Sequence, residues 1–428
     1  MRGFSTRIIW AAGLCLAVAG QAQAFCGFYV ATGDGALYNE VSKVVYVHQG
    51  NTSVITMSSD YRGAPAEFAM IVPTPAVLNR NQVSTVPAKT VDHLDRYTAP
   101  RLVEYFDGDP CAPVVVYEAA VLEETSGDGP LQLARRDGAK ALGVTIEREF
   151  AVGSYDIQML SAKQSDGLVT YLRGEGYKLP EGAEAALGDY VLMGMKFFVA
   201  RVNLARHAAD KAQELEPLQI SFRSPNFMLP IQLGKLNGAG PQDLLVMTLT
   251  RKGRVRLQNY TIKDLPTDID VPIFVRDLFP QFYRALFDKV APQSGAFTEY
   301  AWDMAWCDPC ADEPLSFDEF RQLGVGWVKK GTAATPEVFV TRMHIRYSAK
   351  TMFEDLKFVE TEDRENFQGR YILNHPFEGK ITCEAGKTYV RETRARIKAE
   401  ATKLRSLTGW SSGAIARHIA QTVPERFR

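Results

Sequence analysis

The residues best suited to chemistry are Trp306-Cys307-Asp308-Pro309-Cys310. A Trp-Cys-x-Pro-Cys string resembles the active site of thioredoxins, where the first thiol sits at a helix N-terminus and the helix dipole favours the thiolate nucleophile. Three features of the chain oppose that chemistry. Asp312, Glu313 and Pro314 follow at once, so no apolar helix continues from the motif. Asp303, Asp308, Asp312 and Glu313 crowd the thiols with negative charge, which disfavours a thiolate. The preceding chain also lacks a compact βαβ unit. Thr335-Pro336 is too weak a match to the cis-proline segment of thioredoxins to restore the reading.

Two other readings compete. Cys307, Cys310 and Cys383 with His344 or His375 make a Cys3His zinc set on paper, but the spacing is long and no second CxxC exists. A structural disulfide, within the CxxC or from one of its members to Cys383, is the favoured reading, with Cys26 and Cys111 as natural partners. The candidate disulfide residues are thus Cys26, Cys111, Cys307, Cys310 and Cys383, with Cys307 and Cys310 as a redox alternative. No metal or cofactor is expected.

Other strings fail on context. Gly409-Trp410-Ser411-Ser412-Gly413 matches the GxSxG nucleophile elbow, but the elbow needs a strand before it and here a charged helix precedes. A glycine helix stop followed by a serine N-cap accounts for it. Gly386-Lys387-Thr388 resembles the end of a P-loop, yet Ile381 stands where the first glycine is required. His48, His93, His207, His344, His375 and His418 show no HxxxH or HxH spacing. Asn51-Thr52-Ser53 and Asn259-Tyr260-Thr261 are sequons of consequence only in a eukaryotic source.

The elements that must position these residues begin after an export signal. Arg2 and Arg7 precede an apolar run over residues 8–20, and Ala22-Gln23-Ala24 is a small-x-small cleavage site. Thirteen apolar residues cover about 20 Å of helix, short of the ~30 Å hydrocarbon core. Residues 1–24 therefore read as a cleaved signal peptide, and the mature chain is expected to be periplasmic or secreted, with no transmembrane segment. Leu14 precedes Cys15 and Phe25 precedes Cys26, so neither cysteine has a lipobox. Loss of Arg2 and Arg7 turns 49 basic residues into 47 against 50 acidic ones, a near balance that argues against a nucleic-acid binder. Five mature cysteines are too few for a disulfide scaffold, so the core must carry the fold.

The 428 residues are 46% apolar, 11% aromatic and 23% charged, which excludes disordered and fibrous classes and allows two subdomains. Residues 41–47 and 53–58 around Gln49-Gly50-Asn51 predict a hairpin. Residues 68–72, 144–151, 155–160, 195–204, 218–222, 227–233, 244–250, 255–260 and 338–347 predict strands. Residues 90–106, 165–173, 180–187, 275–290 and 412–419 predict helices. Ser316-Phe317-Asp318-Glu319 is a capping box, and residues 384–407 form a long helix stopped by Gly409. Residues 122–140 read as an exposed loop. Residues 61–73 and 222–230 share an aromatic-Arg turn feeding a Pro-ended strand, read as reuse of turn chemistry more than as a repeat. The class is α+β: a β-rich core of antiparallel or mixed sheets, interspersed short helices and a long C-terminal helix. Residues 25–270 form a β-rich region and residues 271–428 an α+β region. The C-terminal helix carries seven Lys or Arg residues between Lys387 and Arg405, a solvated face or a contact for an anionic envelope surface.

Several segments together resemble the bacterial family called domain of unknown function 2330. They are Cys26-Gly27, residues 68–75 (FAMIVPTP), residues 161–168 (SAKQSDGL), Tyr190 with residues 196–200 (KFFVA), Ser224-Pro225-Asn226-Phe227 with Leu229-Pro230, the Trp306–Cys310 string, and residues 364–371 (RENFQGRY). The resemblance implies an exported, envelope-associated and often lipid-anchored protein with no assigned activity, and it supplies no catalytic residues. The expected function is a non-catalytic envelope or binding protein, with a thiol-disulfide oxidoreductase using Cys307 and Cys310 as the alternative.

Overall fold

The computed structural model describes residues 28–31, 39–61, 68–112, 143–209, 215–237, 240–308, 311, 313–328 and 336–428. The signal segment, the loop at 122–140, Cys26 and Cys310 lie outside them.

Two large sheets stack face to face. A five-stranded antiparallel sheet runs Phe28–Ala31, Phe68–Thr74, Lys196–Val202, Tyr155–Ala162, Val144–Val152 in spatial order. A nine-stranded mixed sheet runs Ile262–Asp264, Gly295–Asp303, Phe339–Tyr347, Gln242–Thr250, Asn39–Gln49, Thr52–Tyr61, Leu218–Arg223, Val83–Thr85, with Phe367–Gln368 beside Gly295–Asp303. Its strands come from both sides of residue 270. The Asn39–Gln49/Thr52–Tyr61 hairpin closes through Gly50 and Asn51, with Gly50 at φ 58°, a conformation glycine adopts without Cβ strain.

The apolar runs seen in the sequence arise because both faces of each sheet are covered. Met70, Val72, Phe198 and Ala200 meet Val44, Tyr46, Ile55 and Ile220 between the sheets. Their neighbours Ala69, Ile71, Phe197 and Val199 face the helices Ser165–Gly174 and Ala183–Leu192 on the outside. Val45, Val47, Met247 and Leu249 face the helix Ala88–Thr98 on the far side. The order is helices, sheet, sheet, helix, and the class is α+β. Two three-stranded sheets complete it: Met228–Leu229, Leu356–Glu360, Val255–Leu257, and Ile269–Asp270, Arg370–His375, Arg101–Phe106. The helices Phe279–Val290, Glu384–Thr408 and Ser412–Thr422 share a core with the second of these. Among the described residues no helix is long and apolar enough to cross a membrane.

Several expectations are corrected. The helix expected over 90–106 ends at Thr98, and Arg101–Phe106 is a strand parallel to Arg370–His375. Pro100 forces Ala99 to extended geometry (ψ 148°), which closes the helix. The strand expected over 227–233 shrinks to Met228–Leu229 before Pro230, so the echo of Phe68–Thr74, an interior strand, does not extend to its setting. The helix expected over 180–187 occupies Ala183–Leu192. The helix expected over 275–290 divides into a 3-10 turn, Ile273–Leu278, and an α-helix, Phe279–Val290, whose first turn holds Pro280. The Ser316 capping box and the Gly409 stop (φ 74°) form as expected.

Candidate functional site

The cysteines pair differently from the sequence reading. Cys111 is bonded to Cys383, with Cα atoms 5.8 Å apart. The expected bonds from Cys26 to Cys111 and from the CxxC to Cys383 are therefore both corrected. The sequence favoured near neighbours, whereas the strand pair Arg101–Phe106/Arg370–His375 delivers the chain ends at Cys111 and Cys383 to one place. With Cys383 in that bond, the Cys3His zinc set is not assembled. His375 Nε2 donates to the Glu104 carboxylate at 2.6 Å, and the ring stacks on Phe106.

Cys307 is an exposed, free thiol. The fixed point of its loop is the next residue: the buried Asp308 carboxylate accepts from Gln368 at 2.6 Å and from the Tyr300 hydroxyl at 3.2 Å. The Gly295–Asp303 strand ends four residues before Cys307, and the next helix begins only at Phe317. Among the described residues no helix begins at the thiol. Gly409 and Ser411 likewise act as helix stop and N-cap, Ser411 accepting from the Ala414 amide at 3.2 Å. Gly386 sits inside the helix that Cys383 caps.

Sequence reasoning missed a buried charged cluster on the nine-stranded sheet. A β-bulge between Thr298 and Tyr300 adds Glu299 to its strand and places it against Arg342 and His344 of the neighbouring strand. His344 Nδ1 lies 2.8 Å from Glu299 Oε1, and Arg342 Nε donates to Oε2 at 2.5 Å. The Tyr283 hydroxyl also donates to Glu299. Burial alone would push Glu299 up, but Arg342 and His344 outweigh it and hold the carboxyl below its ordinary range. Burial would lower His344, but Glu299 and Asp243 outweigh it and raise the imidazole. A carboxylate, an imidazole and a phenol in contact are the parts of a general acid–base site. Here the carboxylate and imidazole are buried and the phenol is half-buried: Glu299 is 1% exposed, His344 is 7% exposed, and Phe287 stacks on the imidazole at 3.6 Å. The carboxylate and the imidazole serve as internal partners of Arg342 and Asp243.

The accessible site is a cleft where the end of the five-stranded sheet meets the Met228–Leu229 sheet. One lobe, of about 240 Å³, is lined by Met57, Met193, Met195, Met228, Ile55 and Phe222. A second, more open lobe of about 840 Å³ shares Met193, Asn226 and Met228 and adds Phe227, Phe353 and Asp355. On one wall the strand ends at Thr74, just before Pro75, and on the other Pro225 and Pro230 bracket the short strand. Proline cannot extend either ladder, so both stop here and leave a gap.

The floor is fixed by Asp355. Its Oδ1 accepts from the Tyr190 hydroxyl at 2.6 Å and the Ile231 amide at 2.9 Å. Burial raises its carboxyl above the usual range despite those donors. Lys235, 6% exposed, donates to Gln232 at 3.0 Å and to the Met352 carbonyl at 3.2 Å, and sits 5.0 Å from the Phe353 ring. Burial lowers its ammonium. The rim mixes apolar and charged side chains: Leu192, Met193 and Phe353, three of the six exposed large hydrophobic residues among those described, stand beside exposed Asp189, Glu354 and Lys357. Exposed apolar groups clustered at one cleft mark a binding surface. Four thioether-bearing side chains give it a wall that adapts to ligand shape. Sequence reasoning singled out Tyr190 as a point of family resemblance and residues 224–230 as a resemblance, a strand and an echo of 61–73, without reading a cleft from them.

Residues 20–359 match the family model of domain of unknown function 2330, described as an uncharacterized protein conserved in bacteria. No curated protein and no solved structure matches the chain.

Proposed function

The chain belongs to the uncharacterized bacterial family of domain of unknown function 2330, and on that premise we propose that it is an exported, non-catalytic binding protein that takes an apolar or amphipathic small molecule into the methionine-lined cleft. The observation that carries this reading is the apolar lobe, with exposed Met193 on its lining and exposed Leu192 and Phe353 on the open lobe that shares Met193 with it. Export rests on the n-region, apolar run and Ala22-Gln23-Ala24 site, and the Cys111–Cys383 bond suits an oxidising compartment. The burial of Glu299 and His344 favours binding over catalysis.

Titration of the mature chain with N-phenyl-1-naphthylamine, an uncharged apolar fluorophore, tests it. Saturable binding is expected, weakened about tenfold in Met193→Glu because a charge then lies in apolar surroundings. Absent binding, or equal binding by Met193→Glu, overturns the reading.

A second reading rests on the exposed Cys307 thiol. In it, the Cys307 and Cys310 thiols reduce a substrate disulfide to two thiols and become a disulfide themselves. Insulin reduction by wild type that is lost in Cys307→Ser and Cys310→Ser would favour it. Equal rates in all three proteins dispose of it.

A further inference from the structure

The helix Glu384–Thr408 is the longest among the described residues, and its buried side is set by Gly386, Thr393, Ile397, Glu400 and Leu404. About 110° round the axis from that side, at 100° per residue, stand Lys387, Arg391, Arg394, Lys398 and Arg405, all exposed. These five fall within a sector of roughly 60° and extend over about 27 Å at 1.5 Å per residue. They form one straight ridge of positive charge. Glu384, in the first turn, pairs with Lys387 at 2.7 Å. Of the helix's other carboxylates, Glu392 lies about 140° round from Lys387, and Glu400 is buried. Arg394 Nε donates to the Arg426 carbonyl at 2.9 Å, which fixes its guanidinium without neutralising it.

We propose that this ridge docks the protein on an anionic lipid bilayer surface. The whole chain is close to charge balance, so a ridge of five like charges along one helix is a local feature that orients the molecule. A polyanionic plane satisfies all five cations together, because the ridge is straight and the helix is held rigid by the body. Duplex nucleic acid fits worse. A helix of 10–12 Å diameter fills the ~12 Å major groove alone, and this one has the helices Phe279–Val290 and Ser412–Thr422 packed beside it. The helix lies beyond residue 359, where the family match ends, and apart from the cleft. The inference is independent of the ligand reading.

The test is flotation of the full mature chain with phosphatidylcholine vesicles and with vesicles containing about 30% phosphatidylglycerol, at low and at high salt. Each cation near an anionic surface strengthens binding by about fivefold. Wild type is expected to float with the anionic vesicles only, and to be released by salt. Arg391→Glu/Lys398→Glu/Arg405→Glu is expected to lose binding by about a hundredfold or more. All three positions are exposed, and the milder triple substitution to Gln, checked beside it by thermal unfolding, gives the same direction. Lys163→Glu/Arg173→Glu/Lys403→Glu changes the net charge equally, away from the ridge, and is expected to bind within a few fold of wild type. Three outcomes overturn the proposal: no flotation of wild type, equal loss in the off-ridge variant, or tighter binding to duplex DNA or an acidic peptide than to the anionic vesicles.

Discussion

Glu299 and His344 meet at 2.8 Å across neighbouring antiparallel strands, and they do so because Glu299 is the extra residue of a β-bulge. Arg342 and His344 stand two residues apart on one strand and so share a face, and the bulged Glu299 lies against both. Arg342 ties the same carboxylate to Asp95 of the helix Ala88–Thr98, through a 2.5 Å bond from Nη1. Asp243 lies 3.5 Å from His344 Nε2 and is held by Arg346 at 2.7 Å through both carboxylate oxygens. The cluster thereby joins the helices Ala88–Thr98 and Phe279–Val290 to one face of the sheet.

Removing one partner from such a buried set leaves the others charged and unpaired. Glu299→Gln is expected to cost about 3–5 kcal/mol in urea unfolding. The pH dependence follows from the directions of the shifts. His344 is raised, so its contribution is complete below about pH 6.5, its unfolded value, and is lost as pH climbs through the folded value. Glu299 is lowered, so its contribution is complete above about pH 4.5 and is lost in acid. The stability advantage of wild type over His344→Gln is expected to be greatest at about pH 5–6 and smaller at pH 9. An advantage that grows with pH would contradict the assignment.

Tyr190 reaches Asp355 at 2.6 Å from a helix on the other side of the cleft floor. Tyr190→Phe removes one charge-assisted donor while the Ile231 amide remains, and is expected to cost about 1–3 kcal/mol. Asp355→Ala is expected to cost more, because the Ile231 amide then loses its acceptor. Because Asp355 is raised by burial, its ionisation opposes folding, and the loss of stability deepens as pH rises through the carboxylate range toward its folded value. Asp355→Asn should flatten that slope. Equal slopes in Asp355→Asn and wild type would show that the carboxyl is not the titrating group.

Local signals carried the β-rich core and the long terminal helix. Strands covered on both faces read as unbroken apolar runs, and capping residues such as Ser316 and Gly409 announce themselves within four positions. Long-range pairing left no such mark. Cys111 and Cys383 are 272 residues apart, and nothing near either one names the other. Glu299, His344 and Tyr283 come from three elements. The available hint was a charge inside an apolar strand, Glu299 within residues 295–303, where an unpaired carboxylate is too costly to bury. The cleft was hidden for a related reason. Methionine and proline carry no chemical motif, and their role emerges only when two ladders stop facing each other.

Non-reducing peptide mapping of periplasmically expressed protein, with free thiols alkylated first, is expected to recover a Cys111–Cys383 peptide and alkylated Cys307. Cys383→Ser, measured together with Cys111→Ser, should lower stability by about 2–4 kcal/mol. A Cys26–Cys111 peptide, or Cys383 linked to the CxxC, would return the connectivity to the sequence expectation.

Glu400 is the buried carboxylate of the terminal helix, 3% exposed, with Arg396 at 3.6 Å and the carboxylates of Asp270 and Asp107 acting on it as like charges. Burial pushes its carboxyl up to about 7, and Arg396 recovers part of that cost. Arg396 spends its best bonds on Asp107, at 2.7 and 3.2 Å, so Glu400 lacks a close donor. A carboxyl raised above its unfolded value destabilises the fold once ionised. Stability is therefore expected to fall as pH rises from about 4.5 to about 7, and then to level. Glu400→Gln removes the charge with little change in shape, and should gain about 1–3 kcal/mol at pH 8 and almost nothing at pH 4.5. Thermal unfolding of both proteins at the two pH values checks it. A gain that is equal at both pH values would mean that packing, not ionisation, sets the difference, and a loss at pH 8 would mean that the Arg396 pairing outweighs the burial.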